Sequence, residues 1–256
     1  MDNFYTDHWQ EIEPERLERY ERMFQYRDEQ APLLSPLDLA GAGRVLDFGC
    51  GPGFMTEEIA SRVDVNVIGV DLNEVFVNRA NARNQKENLQ FIHLDGTDLV
   101  DQVGEVDRIF CKNVLEYVPD LGMTLSSFFE TLLSDGQVLV IDSDWGFVMV
   151  EPWGKARTDD FFDAASAAFR EPLIGRKLPG ALRRAGFVDV HVRMITGVDL
   201  SGSGLNVLTN MMSYILQFDT RSETELSAMM KELEEAIENG GYMFVLPQFL
   251  VSARKS

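Results

Sequence analysis

Short apolar runs alternate with helical patterns along the chain after Gly43. The runs are RVLDFG (44–49), NVIGVD (66–71), LQFIHLD (89–95), DRIFCKNV (107–114) and GQVLVIDSD (136–144). Each has the length of a strand and is mostly continuous rather than alternating, which is typical of strands buried on both faces of a parallel sheet. Helical patterns over 54–62, 73–84 and 121–133 lie between them. The alternation therefore predicts a doubly wound α/β domain.

The segments on either side predict helices outside the main sheet. Residues 13–30 have apolar positions at helical spacing and are followed by Pro32 and Pro36, so we expect an N-terminal helix. Further helices are predicted over 158–169 and 176–185, a strand over 188–195, and two helices within 206–239.

The last of these helices has clear end signals. Ser222 and Glu225 form a capping pair at its start, and Gly240 and Gly241 close it. The following run, YMFVLPQFLVSARK, contains Pro247, which predicts a strand with an interruption or bulge. We therefore divide the chain into a helical cap (1–40), an α/β core (41–200), a helical insertion or lid (201–241) and the last strand of the core (242–256).

Length and charge narrow the class of partner. The 256 residues suit one large domain, or one domain with an insertion. A formal net charge of −19 would repel a nucleic-acid duplex or an anionic bilayer, and the bases at 176–177 and 183–184 are too few to offset it. We expect a small-molecule acceptor, with no nucleic-acid or membrane partner; the oligomeric state stays open.

Neither the start of the chain nor its cysteines indicate export. The first residues are acidic where a secretory signal needs a basic region, and no apolar run approaches the roughly 18 residues that span a bilayer. Cys50 and Cys111 are too few for a disulfide framework or a metal site, so we interpret them as structural thiols. We expect a cytoplasmic location.

The turn after the first run holds Gly49, Gly51 and Gly53, and such a turn between a strand and a helix binds ligands in open α/β sheets. A nucleoside triphosphate would require Lys and then Ser or Thr after the last glycine, but Phe54 and Met55 stand there. A dinucleotide fingerprint would require glycine at the place of Phe54, so a nicotinamide oxidoreductase is a distant alternative.

Carboxylates follow three strands in succession. Asp47 lies in the first run, Asp71 ends the second and Asp95 ends the third. An unpaired buried charge such as Asp47 is costly without a purpose, whereas Asp71 could instead favour the first turn of the next helix and Asp95 could be a turn residue. Together these acids indicate a ligand without phosphate at one edge of the sheet.

The sequence VLDFGCGPG, followed by GVD and then LDG, resembles the class I S-adenosylmethionine-dependent methyltransferases over roughly residues 44–144. The resemblance implies a Rossmann-like, mostly parallel seven-stranded sheet, S-adenosylmethionine as cofactor and S-adenosylhomocysteine as product. It places the turn against the methionine part, an acid on both ribose hydroxyls and another on the adenine amino group. The cofactor-binding residues it implies are Asp47, Gly49, Cys50, Gly51, Gly53, Asp71, Leu72, Asp95, Gly96 and Asn113.

The fourth strand leads into CKNVLEYVPD, which resembles the family's segment behind the transferable methyl group. Asn113 lies where that strand emerges. Many relatives with small-molecule acceptors have His where Tyr117 stands, so a His base at this position is in doubt. The amino-methylating motif of nucleic-acid enzymes, Asn or Asp before Pro-Pro and an aromatic residue, is absent.

Acceptor and base residues are predicted less specifically. Sulfonium methyl transfer needs alignment and exclusion of water, and a base only where the acceptor is a hydroxyl or carbon acid. Candidate bases are His8, Tyr117, Asp142 and Asp144; candidate acceptor contacts are Tyr5, Trp9, Trp145, Trp153 and Arg176. Trp145 could simply cover the sheet edge, and Arg176 could pair with Asp144 or start a surface helix.

The sequence thus predicts a methyltransferase for a small-molecule N, O or C acceptor. One alternative is a methyltransferase for a protein or RNA side group, which would need a basic or extended groove. Another is a non-catalytic S-adenosylmethionine-binding module, which an acceptor pocket blocked by Trp145 or Trp153 would favour.

Overall fold

A mixed seven-stranded sheet forms the centre of the molecule. The computed structural model describes residues 4–94, 99–219 and 221–256, and only the backbone of residues 4–6. The strand order is β3-β2-β1-β4-β5-β10-β7. These strands are β1 Arg44–Phe48, β2 Asn66–Asp71, β3 Leu89–His93, β4 Val106–Lys112, β5 Leu132–Ser143, β7 Val188–Ile195 and β10 Gln248–Arg254.

The first five strands pair in parallel, and β10 pairs antiparallel with both β5 and β7. The predicted mostly parallel, doubly wound sheet is therefore confirmed. Because parallel strands deliver their carboxyl ends to one edge, the residues that follow β1, β2 and β4 come together there.

Ten α-helices lie within the described ranges. They are α1 Phe4–Gln10, α2 Pro14–Met23, α3 Phe54–Arg62, α4 Glu74–Arg83, α5 Leu99–Val103, α6 Leu121–Thr131, α7 Gly154–Ala165, α8 Ile174–Arg184, α9 Leu205–Phe218 and α10 Glu223–Asn239. The Ser222 side chain caps α10 by accepting from the Glu225 backbone N–H, and Gly240 ends it with φ 78°. None of the helices in these ranges has the length and apolar character needed to cross a bilayer.

The central strands of the sheet are buried on both faces, which explains their continuous apolar runs, whereas most of the edge strand β7 is exposed. On one face, Leu46 and Val140 pack with α6 and α8. On the other, Val45 and Leu139 pack with α3, α4 and the 3-10 helix over Asp28–Leu34. Residues in register on neighbouring strands share a face, so the period of two within each run separates the two cores.

A second hydrophobic core lies beside the sheet. We call it the lid cluster: α7, α9, α10 and a three-stranded antiparallel sheet of β6 Met149–Glu151, β9 Met243–Val245 and β8 Val198–Asp199. The run around Pro247 is therefore two strands in two sheets, with Pro247 in the connection. α7 packs with the insertion although its residues fall within the predicted core range, 41–200; the predicted division of the chain remains a prediction.

The N-terminal segment is less continuous than the sequence predicts. Instead of one helix over 13–30, α2 ends at Met23 and a 3-10 helix containing Pro32 follows. Leu17 and Tyr20 of α2 pack on Phe76 of α4, which fixes this segment beside the second strand.

Candidate active site

The glycine turn has three residues with positive φ, but only one of them faces open space. Gly49, Gly51 and Gly53 have φ values of 74°, 53° and 84°. A Cβ on Gly49 would lie 2.2 Å from Val114 Cγ2, and one on Gly53 would lie 2.6 Å from Phe91 Cε1. A Cβ on Gly51 would meet no described atom within 4 Å. Gly49 and Gly53 therefore allow close packing, while Gly51 leaves open space on the side where a Cβ would lie.

Asp47 supports this turn from inside the sheet. Its side chain is buried, and its Oδ2 accepts a 2.6 Å hydrogen bond from Thr56 Oγ1 on α3. Burial raises the pKa of Asp47 from its ordinary value of 3.8 to about 7, while Thr56 and the charge of Lys112 act in the opposite direction. Asp47 thus ties β1 to the start of α3 at the turn.

Asp71 ends β2 directly across from the turn. Its Oδ2 accepts from Gly51 N at 2.7 Å and its Oδ1 from Asn73 N at 2.8 Å. Burial is the main cause of its raised pKa, which these backbone donors oppose. Each carboxylate oxygen has a second lone pair, so two further donors, such as a pair of hydroxyls, fit this acceptor.

Two further residues of the predicted cofactor site flank these acids. Cys50 is buried, its backbone N–H donates to Val70 O at 2.9 Å, and burial raises the pKa of its thiol. The carbonyl of Leu72 lies 2.9 Å from His93 Nε2. Asp95 and Gly96, predicted to bind adenine, lie outside the described residues.

Asn113 follows β4 in an uncommon backbone conformation, with φ 56°. Its backbone N–H donates to Ile141 O at 2.8 Å. Its side-chain Oδ1 is buried, and no hydrogen-bond partner for it exists within the described chain. Buried acceptors are rarely left without a donor, so this atom marks a place for a ligand.

The segment after β4 carries Glu116, an ionisable residue that the sequence interpretation passed over, and it lies near Asp142 of β5, which was a predicted candidate base. Glu116 is buried and its Oε2 accepts from Trp145 Nε1 at 2.7 Å; Asp142 is buried and accepts from the backbone N–H groups of Leu115 and Ser143. Burial raises the pKa of both carboxyls, and they interact with each other and with Lys112. For Glu116, the available signal was a charged residue among the apolar positions of NVLEYV.

Helix α1 crosses the same edge of the sheet. Asn73 Nδ2 donates to Trp9 O at 2.8 Å, next to Asp71, while the rings of His8 and Trp9 lie 5.6 and 5.1 Å from the ring of Tyr117 behind β4. His8 Nε2 lies 3.3 Å from Tyr214 Oη of the lid cluster. The structure therefore brings His8, Trp9 and Tyr117 together; the side chain of Tyr5 lies outside the described residues.

Trp145 and Trp153 occupy different environments. Trp145 stacks on Phe162 and contacts Phe169, which in turn stacks on Tyr117. Trp145 thus joins the aromatic cluster beside the edge. Trp153 is 5% exposed inside the lid cluster, and its Nε1 has no partner within the described ranges.

Asp144 and Arg176 pair with each other. The guanidinium donates from Nε to Oδ2 and from Nη2 to Oδ1, both at 2.6 Å, and the Arg176 backbone N–H reaches Oδ2 at 3.2 Å. Asp144 also accepts from Gly146 N. Both alternatives to an acceptor contact hold for Arg176, since it lies in the first turn of α8 and pairs with Asp144, and this pair satisfies Asp144 without a substrate.

The sheet order, the positive-φ glycine turn and the carboxylate at the end of the second strand define a class of nucleoside-binding α/β proteins. Residues 45–136 match the family model described as a methyltransferase domain. The ubiquinone biosynthesis O-methyltransferase of Psychrobacter cryohalolentis is 32% identical over 142 residues, which cover 52% of this chain and 53% of that protein. The chain spans about half the length of the curated relatives it matches.

Solved structures share the fold over nearly the whole chain. Phosphoethanolamine N-methyltransferase 2 of Haemonchus contortus, in complex with S-adenosyl-L-methionine, has a TM-score of 0.62 at 16% identity and covers 98% of this chain and 60% of that one. The cyclase SpnF has a TM-score of 0.55 at 16% identity and covers 89% of this chain and 80% of its own. Such likeness shows the fold alone.

Residues 45–136 are thus a methyltransferase domain of the class I, S-adenosylmethionine-dependent type. The resemblance inferred from the glycine turn and the strand-end acids is confirmed.

Proposed function

We propose that this protein transfers a methyl group from S-adenosylmethionine to a small-molecule N, O or C acceptor by in-line displacement. The observation that carries the proposal is the edge formed by Gly51, Asp71 and Asn113. It combines open space beside the Cα of Gly51, a carboxylate with two further lone pairs and a buried acceptor without a donor.

The residues fit the parts of that cofactor. Asp71 would accept from the ribose hydroxyls, and the turn at Gly51 would lie against the methionine part. Asp95 and Gly96 are proposed for the adenine from the sequence resemblance. The bound cofactor supplies a methyl group on a sulfonium, whose leaving group departs without protonation.

The chain's own contribution is to align the acceptor and exclude water. Helix α1 crosses the edge, and the aromatic cluster of Trp9, Tyr117, Trp145 and Phe169 extends from it toward the lid cluster. In this proposal, these apolar side chains would cover a small acceptor and keep water from it. The names of two similar proteins, a ubiquinone biosynthesis O-methyltransferase and a phosphoethanolamine N-methyltransferase that shares the fold, also refer to small molecules.

Where the acceptor needs a base, Asp142, His8 and Tyr117 are the candidates that border this region. Burial raises the pKa of Asp142, which makes its carboxylate a stronger proton acceptor than an exposed aspartate. Asp144 and Arg176 are left out because they satisfy each other, and Trp153 because it packs inside the lid cluster.

The proposal is tested first by binding. Asp71→Ala should weaken S-adenosylhomocysteine binding at least tenfold, since a charged hydrogen bond contributes about 1.5–3 kcal/mol. Asp64→Ala, at an exposed position before the start of the same strand, is the matched control and should bind like the unaltered protein. Unchanged affinity in Asp71→Ala would remove the cofactor assignment.

Transfer is tested with methyl-labelled S-adenosylmethionine, the desalted protein and an extract of small metabolites, resolved by mass. A labelled product would identify the acceptor and the methylated atom. Binding without labelling of any small molecule, protein or RNA would favour the non-catalytic binding module, and a labelled protein or RNA would favour the macromolecular alternative.

The proposal also includes the cellular location of the protein. We propose a cytoplasmic protein, in which the free, buried thiols of Cys50 and Cys111 stay reduced. Fractionation of cells that express the chain, with blotting of each fraction, tests this directly, and recovery outside the cytoplasmic fraction would contradict it.

A further inference from the structure

Strand β7 is an open edge of the seven-stranded sheet. It spans Val188–Ile195, contains no proline and pairs with β10 on one side, with a bulge between Val188 and His191. Within residues 4–94, 99–219 and 221–256, no strand pairs with its other side, and most of its residues are exposed. The backbone N–H and C=O groups on that side can therefore pair with another strand, and an exposed edge of this kind is a template for such pairing.

An apolar stripe accompanies this edge. Val192 and Met194 are 46% and 53% exposed. They pair in register with Val251 and Phe249 of β10, so all four lie on the face of the sheet that α8 covers. The exposed ring of Phe147 lies 5.8 Å from the ring of Phe249 and extends the stripe. A contiguous apolar surface, unlike scattered apolar residues, marks an interaction site.

The charges along β7 indicate which partner fits this edge. The chain as a whole carries a net charge of −19, so most of its surface repels a second copy. β7 differs, because Asp189 and Arg193 have opposite charges and stand two residues on either side of His191. Two copies of β7 that run antiparallel about a two-fold axis at His191 place Asp189 of each copy opposite Arg193 of the other.

The neighbouring registers lack this match. Residues paired across antiparallel strands lie on the same face, so the axis passes through a residue and not between two. An axis at Val192 would put His191 opposite Arg193, two basic side chains, and an axis at Arg193 would put two guanidinium groups opposite each other. The axis at His191 instead brings Val190 of one copy opposite Val192 of the other. Arg193 donates one hydrogen bond to Ser35 Oγ, which leaves further N–H donors for Asp189 of the second copy.

We propose that β7 pairs with β7 of a second copy of this chain, antiparallel and centred on His191, to form a homodimer with one continuous sheet. The axis is perpendicular to the sheet, so the parallel strands of the two copies point in opposite directions and their candidate active sites lie at opposite edges. The inference does not depend on the proposed function, because β7 is separated from β1 and β2 by three other strands.

Sedimentation velocity over a range of protein concentrations tests the pairing. We expect the unaltered protein to have twice the 28.9 kDa mass of the chain. Val192→Lys should weaken the dimer at least tenfold, because it places an ammonium in the apolar stripe beside the paired strands. Val75→Lys, at a valine of α4 that is 47% exposed, makes the same change in charge and should leave the dimer intact.

A charge exchange tests the register. Arg193→Asp should dissociate the dimer, because two carboxylates then face each other at both ends of the pairing, and the double variant Asp189→Arg/Arg193→Asp should restore it. Arg184→Asp, exposed at the end of α8, is the control and should not change the mass.

Three results would overturn the inference. They are an unaltered protein that stays monomeric up to about 100 μM, a dimer that Val192→Lys leaves intact, and a folded double variant that stays monomeric. If circular dichroism shows that Val192→Lys does not fold, Met194→Lys takes its place.

Discussion

The three glycines of the turn have different reasons to be glycine. Gly49 and Gly53 adjoin Val114 and Phe91 so closely that a Cβ has no room, whereas Gly51 faces no described atom. All three have positive φ, which costs a non-glycine residue about 1–2 kcal/mol. Substitution of different glycines in this turn should therefore change the stability of the fold and the affinity for the ligand to different extents.

We expect Gly51→Ala to lose about 1–2 kcal/mol of unfolding free energy and to weaken S-adenosylhomocysteine binding tenfold or more, because its methyl group enters the ligand surface. Gly53→Ala should lose more stability, since its Cβ would lie 2.6 Å from a ring carbon of Phe91 and 3.2 Å from Ala80. Urea unfolding and calorimetry measure the two quantities. Full binding by folded Gly51→Ala would show that the ligand lies elsewhere.

The buried carboxyl of Asp47 makes stability depend on pH. Its pKa is raised from 3.8 to about 7 in the folded protein, so the folded state holds the proton more tightly than the unfolded chain. That stabilisation is complete below about pH 4 and is lost as the pH rises through about 7. Above that pH, the buried and ionised carboxylate of Asp47 lowers the stability of the folded state, whereas a neutral Asn at the same position would not.

We expect Asp47→Asn to gain stability relative to the unaltered protein on going from pH 5 to pH 8, by about 2 kcal/mol. Urea unfolding of the ligand-free proteins at the two pH values measures the difference. Asp64→Asn, exposed before β2, should show no such change. The same difference for Asp47→Asn at both pH values would mean that Asp47 stays ionised throughout.

At the scale of elements, one ion pair joins β5 to α8. Asp144 is 0% exposed, and its carboxylate accepts two hydrogen bonds from the guanidinium of Arg176, whose side chain is 44% exposed. Gly146 N also donates to Asp144, which starts the 3-10 helix over Trp145–Phe147. The pair therefore orders the chain on the side of the edge that carries Trp145.

We expect Arg176→Met to lose about 1–3 kcal/mol of unfolding free energy, because Asp144 stays buried with backbone donors only. Arg184→Met, exposed at the end of the same helix, should lose little. Once an acceptor is known, KM for it should change less than threefold in Arg176→Met if Arg176 acts through the fold. A large rise in KM with little loss of stability would instead restore Arg176 as an acceptor contact.

At the scale of the whole molecule, the lid cluster has its own hydrophobic core. Leu233 of α10 is fully buried there, while Leu125 of α6 is fully buried against the sheet. Proteins open in cooperative units that follow such cores. The two leucines therefore report on different parts of the same chain.

We expect Leu233→Ala to cost about 2–5 kcal/mol and to speed amide hydrogen exchange mainly in α7, α9 and α10. Leu125→Ala should cost a similar amount of unfolding free energy and should speed amide hydrogen exchange mainly in β4 and β5. Hydrogen exchange with mass detection resolves the two patterns. Equal loss of protection across the molecule in both variants would mean that the two cores unfold as one unit.

The sequence alone determined the sheet, the helix α3 and the strand β7 with their bounds, and the acids at the strand ends. These features depend on local signals, namely apolar runs, the glycine spacing and helix caps, which each segment carries by itself. The same signals identified the methyltransferase family. They could not show that a Cβ on Gly49 meets Val114 whereas one on Gly51 meets open space, because that depends on the neighbouring strand.

Tertiary structure decided which polar residues have partners. Asp144 pairs with Arg176, Glu116 accepts a hydrogen bond from Trp145, and Asn113 keeps an unpartnered Oδ1, although in the sequence Asp144, Glu116 and Asn113 are all polar residues near strand ends. The small sheet of β6, β8 and β9 joins segments almost 100 residues apart, so no local pattern contained it. Pairing and burial are properties of contacts between distant segments, and only the folded chain brings those segments together.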